Sequence, residues 1–187
     1  MKRSLSAYQL VLTALFAALT AIGAFIRIPT PWSSFTLQVF FVFMAGVLLP
    51  PRLAFLSQAV YVGLGLIGLP IFTQGGGFGY VFQPTFGFLL SYLPAAAVIS
   101  LVCGQSSDFR WVILSCLAGL AVIYAVGMPY MGLILNLYLG KDLSLWALLM
   151  AGMIPFLPYD ALKLIVTAVL AKPLVPALRK LEQGHRH

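Results

Sequence analysis

Apolar residues fill this chain in long runs, and short clusters of proline, glycine and charge separate them. A bilayer core about 30 Å thick takes roughly 17 to 25 helical residues per crossing, and turn residues punctuate the crossings. On that basis the pattern predicts six spans. The first runs from Ala7 to Ile26 and is broken by "RIPTPWSS". The second, Phe35 to Leu49, ends at Pro50, Pro51 and Arg52. The third, Leu53 to Leu69, stops at Pro70 and runs into the glycine-rich "TQGGGFGY". The fourth spans Val81 to Val102 with Pro84 and Pro94 inside it. The fifth starts near Trp111, is interrupted at "GMPYM" and continues to Leu139. The sixth spans Pro155 to Leu178, with Lys172 and Pro173 marking its exit, and "LSLWALLMAG" forms a short interfacial helix before it.

Composition agrees with this reading. With 61% apolar and only 8% charged residues, the chain lies far from soluble domains, where about a quarter of residues are charged. The expected fold class is an all-α integral membrane protein, a six-transmembrane-helix bundle formed as a single domain over residues 1–187. The formal charge of +7 does not point to nucleic acid, because the basic residues sit at segment ends without an aromatic-interleaved basic face. They act as topology signals. With the N-terminus inside, Lys2, Arg3, Arg52, Arg110, Lys172, Arg179, Lys180 and Arg186 all fall on the cytoplasmic side, and only Arg27 and Lys141 fall outside. That asymmetry satisfies the positive-inside rule and places both termini in the cytoplasm. It also gathers the loop after the first span, the glycine-rich loop and the start of the sixth span on the outer face. Lys2 and Arg3 ahead of an apolar run have the outline of a signal peptide, but the run is long and more spans follow, so a retained first helix is expected. Cys103 and Cys116 lie in or beside apolar runs and read as small core residues.

Candidate chemistry concentrates in "PFLPYDALKLIVTAVLA", residues 155–171. Asp160 and Lys163 are three apart, so they share one helix face. Pro158 suits a first turn, and the helix dipole favours an anion at Asp160. An ionisable residue within a membrane span costs about 2.5 to 3.5 kcal/mol at the bilayer centre and marks a functional site by default. The functional reading is a pair that holds a polar ligand; the structural reading is a neutralised helix cap. Gln38, in "FTLQVFF", both donates and accepts, either to a ligand or as interhelical glue. Gln74, Gly75, Gly76, Gly77 and Tyr80 form a segment whose backbone turns tightly or approaches something closely. Phe35, Phe72, Phe78, Tyr80 and Tyr159 supply walls for a cavity there.

Other chemistries lack their parts. "GLGLIG" matches G-x-G-x-x-G by letter but sits in an apolar span, with no acidic residue about twenty positions on. No G-x-x-x-x-G-K-[ST] loop is present, so any ATP dependence belongs to another polypeptide. The histidines, His185 and His187, are confined to the tail, which leaves a Ser-His hydrolase or a His-ligated metal site without components. No catalytic role, cofactor or metal is expected. In the first span, Ala14 with Ala18 and Ala17 with Ala21 form a strip of small residues at helical spacing. Such a strip permits close helix approach, within the bundle or against another protein.

Four stretches together resemble a known family: "ALFAALTAIGAFIRIPTP", "FTLQVFFVFMAGVLLPPR", "YVGLGLIGLPIFTQGGGFGYVFQPTFGF" and "PYDALKLIVTA". They are similar to the biotin transporter family BioY, the substrate-capture (S) components of energy-coupling factor (ECF) transporters. The resemblance covers the first four spans and the sixth; residues 104–150 add little. It implies a six-helix protein of the cytoplasmic membrane that binds biotin from outside. It also implies that the alanine strip meets a transmembrane coupling protein carrying two ATPase subunits. Carried over by motif, Asp160, Lys163 and Gln38 become substrate-binding residues, with Gly75 to Gly77 in the loop beside them. The chain departs from the family pattern in that loop, where Gln74 or Gln83 stands in for a polar side chain. Two other readings remain open: capture of a different vitamin on the same scaffold, and a structural membrane subunit without a small-molecule ligand.

Overall fold

A computed structural model describes residues 6–29 and 33–184, with side chains described as far as Leu181. Lys2, Arg3, His185, Arg186 and His187 lie outside the described residues, as do residues 30–32 of the loop after the first helix. The chain folds as α1 (Ala7–Phe25), a hairpin of β1 (Arg27–Pro29) and β2 (Ser34–Thr36), α2 (Gln38–Leu48), α3 (Pro51–Leu66), α4 (Phe86–Cys103), α5 (Phe109–Gly132), α6 (Leu145–Gly152) and α7 (Leu157–Gly184). The six bundle helices are α1 to α5 and α7. Among the described residues, Ala7–Phe25, Phe86–Cys103, Phe109–Tyr138 and Leu145–Leu181 are long and apolar enough to cross a membrane. α2 has 11 residues and α3 has 16, so at about 1.5 Å rise per residue each is shorter than the hydrocarbon core.

Helices in lipid gain little from apolar burial against one another, so close packing around small residues holds them together. Ile99 of α4 lies between Gly46 of α2 and Gly119 of α5, and a methyl group on either glycine would fall 2.6 or 2.3 Å from its side chain. At the end where α2 meets α3, Ser100 donates its hydroxyl to the Leu49 carbonyl at 2.6 Å. That carbonyl belongs to the residue joining the two helices, and the bond pins their junction to α4.

The observed boundaries correct several expectations, each for a local reason. The second helix starts at Gln38, not Phe35, because Ser34–Thr36 pairs antiparallel with Arg27–Pro29. The fourth starts at Phe86, not Val81. Phe78–Phe82 is a short 3-10 turn, and Pro84 holds Gln83 extended at ψ 137°, which a helix cannot pass through. The fifth is not interrupted at "GMPYM": α5 continues through Pro129 and widens into a π-helix over Leu133–Tyr138. The sixth runs past its expected limit at Leu178. α7 runs through Pro173 and Pro176 to Gly184 because Val175 and Leu178 pack on the core and Arg179 Nη2 donates to the Gln105 carbonyl at 2.7 Å. The short helix expected before the sixth span is present as α6, capped by the Ser144 hydroxyl, which accepts from the Ala147 amide.

The alanine strip of α1 divides. Ala17 is 4% exposed and belongs to the core, and Ala21 packs against it. Ala14 and Ala18 face outward. Of the four alanines, Ala17 and Ala21 therefore pack within the bundle, and only Ala14 and Ala18 are left outward.

Candidate functional site

Three connections bring helix ends to the same end of the bundle: the hairpin between α1 and α2, the loop between α3 and α4, and the segment containing α6 between α5 and α7. Between them lies a concave cleft that combines apolar walls with a few polar groups, the composition usual for small-molecule sites. Val39, Phe88, Leu89, Ile123 and Phe156 give it apolar walls. Gln38, Tyr80, Tyr92, Tyr124, Asp160 and Lys163 supply its polar groups, and hydroxyls of Ser33, Ser34, Thr36, Thr73 and Thr85 complete the lining.

Asp160 lies in the first turn of α7. Its carboxylate is held from both sides: Lys163 Nζ stands 2.9 Å from Oδ1, and the Tyr124 hydroxyl of α5 donates to Oδ2 at 2.6 Å. The lysine and aspartate side chains are only 11% and 4% exposed. A buried pair of this kind requires good geometry and further hydrogen bonds to offset desolvation, and Tyr124 supplies one. A carboxylate has about four lone-pair sites, so capacity remains for a ligand N–H.

Gln38 opens α2 and is 3% exposed. Its Nε2 donates to the Tyr61 hydroxyl at 2.6 Å, and Thr36 Oγ1 donates to its Oε1 at 3.1 Å. Tyr61 in turn donates to the Ile71 carbonyl at 3.3 Å. The amide is thus oriented by a strand on one side and by the loop after α3 on the other.

That loop owes its glycines to backbone geometry. Gly75 and Gly77 have φ of +113° and +96°, values that L side chains rarely adopt. The Gly77 amide donates to the Gly65 carbonyl at 2.7 Å, and Phe72 and Gly75 exchange backbone hydrogen bonds. The turn thrusts Phe72 inward, 1% exposed, where its ring meets Tyr61 edge-on at 5.5 Å and Tyr80 at 4.6 Å. Tyr80 OH and Thr73 Oγ1 share a hydrogen bond of 2.8 Å.

Of the residues expected at a site, the structure brings Asp160, Lys163, Gln38 and Tyr80 together in the cleft. Gln74, Gly75, Gly76 and Gly77 do not line it; Gln74 is exposed, and the glycines shape the turn that carries Phe72 and Tyr80. Phe35 and Tyr159 stand behind the wall: the Phe35 ring lies 4.3 Å from that of Phe156 and 4.5 Å from that of Tyr159. Strand alternation explains this, because Ser34 and Thr36 face the cleft and Phe35 therefore faces away. Phe78, 74% exposed, is no wall, and Phe72 is core. Sequence reasoning missed Tyr92 and Tyr124. Their signal was a hydroxyl within an apolar span, and a search for a partner to Asp160 would have weighed them.

A family model described as the BioY family matches residues 1–180. A relative from Lysinibacillus sphaericus, described as a probable biotin transporter BioY, is 45% identical over 181 residues, covering 96% of this chain and 92% of the relative. The biotin transporter BioY of Thermotoga maritima is 38% identical over 178 residues, covering 93% and 97%. A crystal structure of the S-component for biotin from an ECF-type ABC transporter has the same fold. Its TM-score is 0.77 at 24% identity, covering 91% of this chain and 94% of that one. Residues 104–150, which carried little of the resemblance in sequence, fall inside the matched region, and the chain belongs to the BioY family.

Proposed function

We propose that this protein captures biotin at the outer face of the cytoplasmic membrane as the S component of an ECF-type ABC transporter. It is not an enzyme: uptake is driven by two ATPase subunits that reach it through a transmembrane coupling protein. The observation that carries this reading is the carboxylate–lysine–tyrosine cluster of Asp160, Lys163 and Tyr124, set with Gln38 and Tyr80 in an apolar-walled cleft. Biotin's ureido ring offers two N–H donors and a carbonyl, and its thiophane and chain are apolar, so polar groups on one part of an otherwise apolar cleft suit it. The names of the relatives from Lysinibacillus sphaericus and Thermotoga maritima support biotin over another vitamin.

In this proposal Asp160, Lys163, Gln38 and Tyr80 contact the ligand. Phe35 and Tyr159 back the wall through Phe156, and the turn at Gly75–Gly77 with Gln74 holds Tyr80 in place. Orientation is argued from charge. The cleft lies at the start of α7, and Arg52, Arg110, Lys172, Arg179 and Lys180 belong to the opposite end of the bundle. The positive-inside rule then puts that end, and both termini, in the cytoplasm. Ala14 and Ala18, outward on α1, are the proposed contact with the coupling protein. Calorimetric titration of the detergent-solubilised protein with biotin tests the reading, with Asp160→Asn and Lys163→Ala alongside. Heat of binding in the wild type that either substitution weakens is expected; a wild type that ignores biotin and takes another vitamin overturns it.

A further inference from the structure

Tyr92, in the middle of the first half of α4, is 4% exposed and lines the cleft together with Asp160. The phenols beside it are satisfied within the protein: Tyr124 by Asp160 and Tyr80 by Thr73. Among the described residues no protein group is hydrogen-bonded to the Tyr92 hydroxyl. Every fully enclosed side-chain nitrogen or oxygen among the described residues has a partner, so the Tyr92 hydroxyl must open on the cleft. A buried phenol ordinarily finds a partner, and leaving one without costs about 1–3 kcal/mol. This group waits for something that enters the cleft.

The chemistry of the surroundings identifies what it meets; this step rests on biotin being the ligand. Asp160 accepts and so suits a ureido N–H. The ligand's own carboxylate suits that place less well, because Lys163 is already paired with Asp160 Oδ1 at 2.9 Å and a second anion beside the pair would bring no countercharge of its own. The hairpin side of the cleft, where the Ser34 hydroxyl lines it, suits that carboxylate better. An acceptor next to the ureido N–H groups remains, the ureido carbonyl, and it requires a donor. We propose that Tyr92 donates its hydroxyl to the ureido carbonyl of biotin while Asp160 accepts a ureido N–H, which sets the ligand ring-inward and carboxylate-outward.

Two titrations test this, with biotin and with biotin methyl ester, on the wild type and on Tyr92→Phe. The substitution removes a hydroxyl that has no protein partner, so thermal unfolding of the ligand-free protein is expected at the wild-type temperature or above. Biotin affinity is expected to fall roughly ten- to a hundredfold, the loss of one buried hydrogen bond with its partner left unsatisfied, and the ester is expected to lose the same factor. Unchanged biotin affinity in Tyr92→Phe overturns the proposal. So does a loss confined to biotin, which would put Tyr92 on the carboxylate. The wild type supplies an arm that needs no variant: the ester is expected to bind within about threefold of biotin, as an exposed charge contributes little, and failure to bind places the carboxylate beside Asp160 and Lys163 and overturns the proposal. If the wild type binds neither compound, the proposed function itself falls, a result distinct from all of these.

Discussion

Tyr124 on α5 donates to Oδ2 of Asp160 on α7 at 2.6 Å, so the carboxylate at the head of α7 is oriented by a different helix from the one that carries it. Lys163, one turn along on the same helix, holds Oδ1 at 2.9 Å. Removing the phenol hydroxyl leaves the lysine contact intact and frees the carboxylate to turn. Interhelical hydrogen bonds in membranes average about 0.6 kcal/mol and reach about 1.7. Tyr124→Phe is therefore expected to cost about 1 kcal/mol in stability by thermal or denaturant unfolding. Its effect on biotin titration is expected to be a three- to tenfold loss, since a misaligned acceptor weakens the bond the ligand requires.

The ion pair itself separates stability from binding. Breaking a buried pair by removing one partner costs roughly 3–5 kcal/mol, whereas replacing both with neutral groups of similar size is often close to neutral. Lys163→Met alone strands the Asp160 carboxylate and is expected to destabilise the protein strongly. The double variant Asp160→Asn with Lys163→Met is expected to recover most of that stability and still fail to bind biotin. Unfolding and calorimetry on the same preparations read the two effects apart. A double variant that binds like the wild type would make the pair a helix cap.

Gly65 and Phe72 make a similar test of the loop. A Cβ on Gly65 would lie 2.0 Å from the Phe72 ring, and Phe72 packs against both Tyr61, which holds Gln38, and Tyr80 in the cleft. Gly65→Ala is expected to cost about 1–3 kcal/mol as an overpacked core and to displace Tyr80 and Gln38 through the same ring. Biotin affinity should fall with it, although residue 65 does not line the cleft. Gly63→Ala, where nothing lies within 4 Å of the added atom, is the matched control: affinity should be unchanged and stability equal or higher, by up to about 1 kcal/mol, because alanine is the better helix former.

Apolar run length and punctuation marked the elements of this fold, because a bilayer imposes length on a helix. The runs could not mark where backbone hydrogen bonding changes type. Phe35 opens an apolar run but is captured, with Ser34 and Thr36, by pairing with Arg27–Pro29, and Pro173 stops nothing because Val175 and Leu178 are packed beyond it. At the cleft, charge made Asp160 and Lys163 conspicuous in an apolar run. Tyr92 and Tyr124 carry no charge, and only the packing of α4 on α5 and of α5 on α7 shows that their hydroxyls reach it. The glycines of the loop were visible, but their reason is the turn that buries Phe72, a residue whose destination no spacing encodes.

The divided alanine strip of α1 gives the last prediction, which separates capture from transport. Ala17 is 4% exposed within the core, whereas Ala14 and Ala18 face outward on the same helix. Ala17→Leu inserts methylene groups into a packed interior and is expected to cost about 1–3 kcal/mol, lowering the amount of folded protein and with it both binding and uptake. Ala14→Leu and Ala18→Leu add bulk where nothing in this chain opposes it, so unfolding and biotin titration should match the wild type. If these two alanines allow close approach of a coupling protein, the outward variants will bind biotin normally yet fail to accumulate it in cells expressing the coupling protein and ATPases. Co-purification of those subunits with each variant locates the defect. Normal uptake by the Ala14→Leu, Ala18→Leu double variant would move the contact to another face of the bundle.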